Sequence, residues 1–227
     1  MRAAPKAKPR RAAKSAEAVT DWLREAISNG SYQPNERLVE EDVARRVHSN
    51  RATVRLAMAR IEQEGLLERE RNRGVRVRLV SEDEAVEILE ARAALEAIVA
   101  RHAAANLGPR DAATLRSMML QLSAHHDTGD ILAYADLNAQ LHLEITRIAH
   151  HGTATKLLGL LKSQIVRFQY QALFQPGRIE HSVAEHRRLI DAIIAKDPDR
   201  AEAAMRDHLD NAVVALQRSI RLKRTPA

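Results

Sequence analysis

The 227-residue chain contains no cysteine, which excludes disulfides and thiolate chemistry. Aromatic residues make up only 3%, with eight glycines and seven prolines. Ala, Leu, Arg and Glu abound instead, and that balance favours helices over sheets. No apolar run reaches the roughly 20 residues that span a bilayer. The first fourteen residues, Met1 to Lys14, lack the apolar stretch of a secretory signal. They are basic and rich in Ala and Pro, and read as a disordered basic arm, with a presequence as the alternative. A cytoplasmic protein with no membrane partner is expected.

What is present is 45% hydrophobic and 29% charged, enough for one large or two ordinary cored domains. The net charge of +6 is unevenly placed. Residues 1–80 hold 18 Lys+Arg against 11 Asp+Glu, and residues 81–227 hold 18 against 19. A basic first third suits a polyanion-binding module, or simply a basic solvated face.

Apolar spacing predicts a helix over Ser15–Asn29, on Val19, Trp22, Leu23, Ala26 and Ile27, stopped by Gly30. The connection Ser31–Leu38 has room for a short strand. A second short helix covers Val39–Val47, with Glu40, Glu41 and Asp42 favourably placed in its first turn. Ser49 or Asn50 can cap a third helix from about Arg51 to Glu64, with Val54, Leu56, Met58 and Ile61 available for packing. Leu66–Leu67 begins a strand, Asn72-Arg73-Gly74 is a tight turn, and Val75, Val77 and Leu79 alternate with Arg76 and Arg78. Three helices then a hairpin is the order of a winged helix-turn-helix.

A helix start carrying Asn50, Arg51, Thr53 and Arg55 presents donors to base edges and phosphates, and arginine can grip guanine with two bonds. Arg71, Asn72 and Arg73 could reach a flanking groove. Singly, the arginines could be solvating a helix face and the hairpin tip could be only a turn. The whole constellation in order points to DNA.

The motifs now become specific. Gly30-Ser-Tyr-Gln-Pro34-Asn-Glu-Arg37-Leu38-Val-Glu40, Ser49-Asn50-Arg51-Ala-Thr-Val54-Arg55-Leu-Ala57, Glu64-Gly65-Leu66-Leu67 and Asn72-Arg73-Gly74-Val75 resemble the DNA-binding domain of GntR-type transcription regulators over about Val19–Leu79. The chain departs from the pattern at Asn35, where Gly is usual, at Thr53, where Pro is common, and at Leu56, where an acid usually follows the arginine. The resemblance implies that Arg37, Arg51 and Arg55 contact bases or phosphates and that Gly74 places the wing tip in the minor groove. Leu56 makes Arg51 the stronger contact of the pair.

Ser81-Glu82-Asp83-Glu84 caps a new helix and marks a boundary. Six helices follow, at about 82–106, 110–126, 130–150, 153–173, 179–196 and 199–222, separated by Gly and Pro signals, and short links make them a bundle. The fold class is mainly α: a basic arm at 1–14, a winged helix-turn-helix at 15–80, and a helical metal-, effector-binding and dimerisation domain at 81–227.

Three of the ten histidines stand apart. On helical wheels His142 falls beside the stripe of Leu137, Leu141, Ile145 and Ile148, with Asn138 one turn before it. His186 falls within Val183, Ile190, Ile193 and Ile194, and His208 within Met205, Leu209, Ala212 and Leu216. A single inward histidine is more often a hydrogen-bonded core residue than a ligand. Three unpaired ones would cost about 1–3 kcal/mol each, and one divalent cation could satisfy all three, with the Asn138 carbonyl or water completing the shell. Imidazole suits Zn, Ni, Cu or Fe. Arg92 lies at the edge of an inward stripe and needs an anion, either Glu96 or Glu90 in a salt bridge or a ligand carboxylate. Arg167 is the weaker effector candidate.

Leu137-Asn138-Ala-Gln-Leu-His142, Glu185-His186-Arg187 and Asp207-His208-Leu209 resemble the FCD ligand-binding domain of the FadR-type branch of GntR regulators. The helix count suggests its shorter, VanR-like form. That resemblance implies a metal beside a pocket for a small organic or sugar acid. Asn138 stands where the family usually has an acid, and Asp136 lies on another face of its helix. The expected protein is a homodimeric, ligand-responsive repressor on palindromic double-stranded DNA. A metal-dependent enzyme using the three histidines and a DNA binder without effector are the alternatives. No inward Glu or Asp is evident as a general base, which counts against the enzyme.

Overall fold

In a computed structural model of the chain, residues 14–70 and 74–224 are described, except for the side chains of residues 162, 163, 166, 167, 169, 170 and 224. Residues 1–13 of the basic arm and the wing-tip residues Arg71, Asn72 and Arg73 lie outside the described residues. The chain divides into two compact units between Leu79 and Val80.

The first unit opens with α1, Ala16–Ser28, capped by the Ser15 side chain, which accepts from the Ala18 N–H at 3.2 Å. Its inward Val19, Leu23 and Ala26 spacing follows the 3.6-residue turn. After β1, Arg37–Leu38, come α2, Glu40–Val47, and α3, Arg51–Gln63. The turn between these helices is His48-Ser49-Asn50, with His48 in the left-handed region at φ 54°. On α3 the inward residues are Val54, Ala57, Met58 and Ile61. Leu56 does not pack inward as its apolar character predicts. It is 50% exposed, because it sits two residues past Val54 on the opposite side of the wheel.

β2, Leu67–Glu70, and β3, Gly74–Val77, form the wing. β3 is the middle strand, antiparallel to both neighbours, with Leu38 opposite Val75 and Leu67 opposite Val77. Val75 and Val77 are buried, but the alternation stops there. Leu79 lies beyond the strand and is exposed. Asn35 adopts φ 69°, a backbone region that suits glycine and that asparagine enters most readily of the other residues. Its side-chain oxygen accepts from Arg76 at 2.9 Å, so the departure from glycine is accommodated.

The second unit is helical: α4, Glu82–Asn106; α5, Pro109–Thr128; α6, Ile131–Ala149; α7, Gly152–Gln164; α8, Val166–Leu173; α9, Arg178–Ile194; and α10, Pro198–Arg224. α4 packs against α6, α7, α9 and α10. Alanines 93, 97, 100, 103 and 104 on α4 are essentially fully buried, and their small side chains let neighbouring helices approach closely. The count is seven helical segments where the sequence predicts six. The predicted span 153–173 is divided at Ile165 into two helical segments. No Gly or Pro marks this break. No helix among the described residues is long and apolar enough to cross a membrane.

Candidate functional site

At the start of α3, Asn50 is the cap, and its Oδ1 accepts from the Thr53 N–H at 2.8 Å. Proline at position 53 would have no N–H to give, so Thr53 makes this cap possible. Asn50 is thus committed locally through its oxygen. Ser49 Oγ donates instead to the Lys14 carbonyl at 3.1 Å. Arg55 forks onto Glu40 of α2, Nε to Oε1 at 2.8 Å and Nη2 to Oε2 at 2.9 Å. That hydrogen bonding holds the Glu40 carboxyl below its ordinary range. Arg51 stands 3.8 Å from the same carboxylate, and both arginine side chains are 63% exposed. Glu40 therefore orients Arg55 although no acid follows it in sequence. Gly74 has φ 91°, with the Arg37 guanidinium 3.5 Å from where a Cβ would stand. Arg37 and Gly74 thus adjoin at the turn end of the wing, while Arg73 lies outside the described residues.

In the second unit, α6, α9 and α10 bring His142, His186 and His208 together, with their ligating nitrogens all within 4.8 Å of one another. His142 Nε2 lies 3.3 Å from His186 Nε2. Two nitrogens each about 2.0–2.1 Å from one tetrahedral cation would stand roughly 3.3 Å apart.

The other nitrogen of each ring is occupied. His142 Nδ1 donates to Glu96 Oε2 at 2.5 Å, His208 Nδ1 donates to Glu185 Oε2 at 2.7 Å, and His186 Nδ1 is bonded to Ser182 Oγ at 3.2 Å. With Nδ1 donating to a carboxylate, Nε2 of His142 and of His208 is left as an acceptor, the usual second-layer arrangement of metal-binding histidines. Burial holds His186 and His208 well below the ordinary imidazole range, reinforced by the neighbouring rings and the Arg178 charge, so both stay neutral. Asn138 Oδ1 is buried and has no hydrogen-bond partner. An orphaned carbonyl oxygen one turn before His142, with inward imidazole nitrogens, fits a divalent cation of the zinc or nickel type.

Inward acids are present where the sequence reading found none evident as a general base. Glu96 is 3% and Glu185 4% exposed, and both touch the histidines. Burial alone would raise the Glu96 pKa, but the Arg92 charge and the His142 contact outweigh it and hold the carboxyl well below the usual range. Arg92, on α4, bonds Glu96 through Nε at 3.0 Å and through Nη2, which is the salt-bridge alternative of the sequence reading. It also lines the cavity. Arg178, on α9, forms an ion pair with Glu185 at 2.9 Å, and Asn211 donates to the same carboxylate at 3.0 Å. Arg167 lies on α8 and its side chain is outside the described residues. Sequence reasoning missed Glu185, Ser182, Arg178 and Asn211. A signal existed for Glu185, which is only 100° round the helix from His186.

Asn138, His142 and His208 open onto a cavity of about 350 Å³. Its walls include Leu89, Leu143, Leu158, Leu173 and Leu209, with Arg92, Glu96 and Arg178 among the polar residues. Two wall hydroxyls, Thr146 and Thr155, donate to backbone carbonyls of their own helical segments, at 2.8 and 3.0 Å.

Comparison with known proteins gives the same division. Residues 87–211 match the FCD domain, over half of the chain, and residues 15–77 match the bacterial regulatory proteins of the gntR family. An uncharacterized HTH-type transcriptional regulator of Mycobacterium tuberculosis is 30% identical over 233 residues, covering 90% of each chain. A Paenarthrobacter nicotinovorans protein named "Probable D-xylose utilization operon transcriptional repressor" is 26% identical, covering 84% of each. The HTH-type transcriptional repressor GlaR of Escherichia coli is 25% identical over 88% of this chain and 94% of its own. Among solved structures, E. coli McbR/YncC has the same fold, with a TM-score of 0.75 at 20% identity, covering 92% of this chain and all of that one. The chain therefore belongs to the GntR family of bacterial transcriptional regulators, with a winged helix-turn-helix DNA-binding domain followed by an FCD domain.

Proposed function

We infer that this regulator is a homodimeric, cytoplasmic repressor of a metabolic operon, released from a palindromic operator by a small carboxylate bound beside a metal. The observation that carries the effector reading is the set of inward imidazole nitrogens and the orphaned Asn138 oxygen at one end of a mainly leucine-lined cavity. His142, His186, His208 and Asn138 would hold the cation, which supplies Lewis acidity towards a carboxylate. The leucine walls favour an acid with a short aliphatic or aromatic body over a polyhydroxylated sugar acid. Arg92 and Arg167 remain candidate effector contacts, Arg92 through its place in the wall.

At the DNA, Arg51 and Arg55 would reach bases or phosphates from the start of α3, with Asn50 and Thr53 beside them, and Arg37, Arg73 and Gly74 would serve the wing. A dimer reads two half-sites, which multiplies the reach of one short helix. The effector must bind the DNA-competent and DNA-incompetent states with different affinity to switch them. Gel shift with the chain's own upstream region, with zinc present, tests this. A specific shift released by short aliphatic or aromatic acids is expected. No specific shift at moderate salt refutes the repressor reading, and release only by sugar acids refutes the effector class. The enzyme alternative is weakened by the same contacts that place acids at the site: Glu96 and Glu185 are each engaged by a histidine and an arginine.

A further inference from the structure

We propose that Asn138 makes metal binding conditional: the effector carboxylate supplies the anionic ligand that the protein omits, so metal and acid bind as a linked pair. This rests on the metal reading above and concerns how that site is regulated.

The argument is one of charge. The three imidazoles and the Asn138 amide are the groups that converge, and none brings a negative charge. Among the described residues, the carboxylates touching the rings are Glu96 and Glu185. Each is bonded to a histidine Nδ1 and matched by an arginine, Arg92 for Glu96 and Arg178 for Glu185. Asp136, two residues before Asn138, is exposed and on another face of α6. A divalent cation would therefore carry about two uncompensated positive charges into a site whose charged wall residues already cancel, Arg92 against Glu96 and Arg178 against Glu185, which is unfavourable. A carboxylate entering through the cavity removes half of that excess and binds the cation directly. Each ligand thus favours the other, and the two enhancements must be equal. The regulator would respond to an acid only when metal is available, and would retain metal firmly only when the acid is there.

The test uses the full chain after chelator treatment, in carboxylate-free buffer. Zn2+ affinity is measured by competition with a chromophoric chelator, with and without saturating acetate or benzoate. Co2+ replaces Zn2+ in parallel, because its visible d–d absorption reports the ligand set. Wild type should bind Zn2+ at least ten-fold more tightly with either carboxylate, within the roughly 5–150-fold range of such couplings, and its Co2+ spectrum should change on adding the acid. Asn138→Asp should bind Zn2+ tightly without acid and lose most of the gain. His142→Ala should show no gain. Equal Zn2+ affinity of wild type with and without both acids overturns the linkage and leaves the metal reading standing. An undiminished gain in a folded Asn138→Asp also overturns it. If neither wild type nor Asn138→Asp binds Zn2+ or Co2+ under any condition, the metal reading falls and the linkage with it.

Discussion

Arg55 and Glu40 illustrate how a side chain at the residue scale is oriented from another element. The family's usual acid after the arginine is replaced by Leu56, yet the guanidinium is still forked, by a carboxylate fifteen residues earlier. Because the folded pKa of Glu40 lies below its ordinary value of 4.5, its contribution is complete above the unfolded value and is lost as pH falls through the depressed folded one. An NMR titration should place the Glu40 midpoint below 4.5 in wild type and move it upward in Arg55→Ala. A midpoint unchanged by the substitution would show that the fork does not persist in solution. Gly74 is a second residue-scale case. Its φ of 91° is the cost any side chain would meet there, since the Arg37 guanidinium 3.5 Å away is only in ordinary contact distance. Gly74→Ala should therefore destabilise the chain by about 1–2 kcal/mol in urea unfolding, from backbone strain. Gly74→Asn should recover part of that loss.

Elements show the same division between packing and presentation. On α6, Leu141 is fully buried and Leu143 is 56% exposed, two residues apart on one helix. Leu141→Ala should cost about 2–5 kcal/mol by removing transfer energy and leaving a cavity. Leu143→Ala should change stability by about 0.5 kcal/mol or less. Equal costs in denaturant melts would mean that α6 is rotated from the orientation that turns Asn138 and His142 inward. The wheel for this helix was readable from Leu137, Leu141, Ile145 and Ile148 alone, because every fourth or third residue returns to one face. The break at Ile165 was not readable. No Gly or Pro marks it.

At the scale of the whole molecule, the histidines bring three helices from widely separated stretches of the chain to one point. A ligand that binds the folded chain and not the unfolded one stabilises it by about 2.7 kcal/mol at a hundred-fold excess over its dissociation constant. For a chain of this length that is roughly 5–10 °C in melting temperature. With zinc and acetate both supplied, adding excess chelator should lower the melting temperature by that amount in wild type and leave His186→Ala unmoved. An equal fall in both would place the chelator's effect elsewhere.

Local order and spacing determined much of this protein by themselves. The helix starts at Ser15, Asn50 and Ser81, the alternation of Val75 and Val77, and the inward phases of His142, His186 and His208 all follow from turn geometry along one segment. The tertiary structure alone decided what those groups meet. Glu40 reaching Arg55, Glu96 and Glu185 tying the imidazoles, and Arg92 and Arg178 neutralising those acids are contacts between separate elements or between faces whose partners a wheel does not name. The physical reason is that periodicity sets the direction of a side chain, while its partner is set by how the helices pack. That packing made Glu96 and Glu185 the supports of the histidine site, and left the inward Asn138 oxygen without a partner.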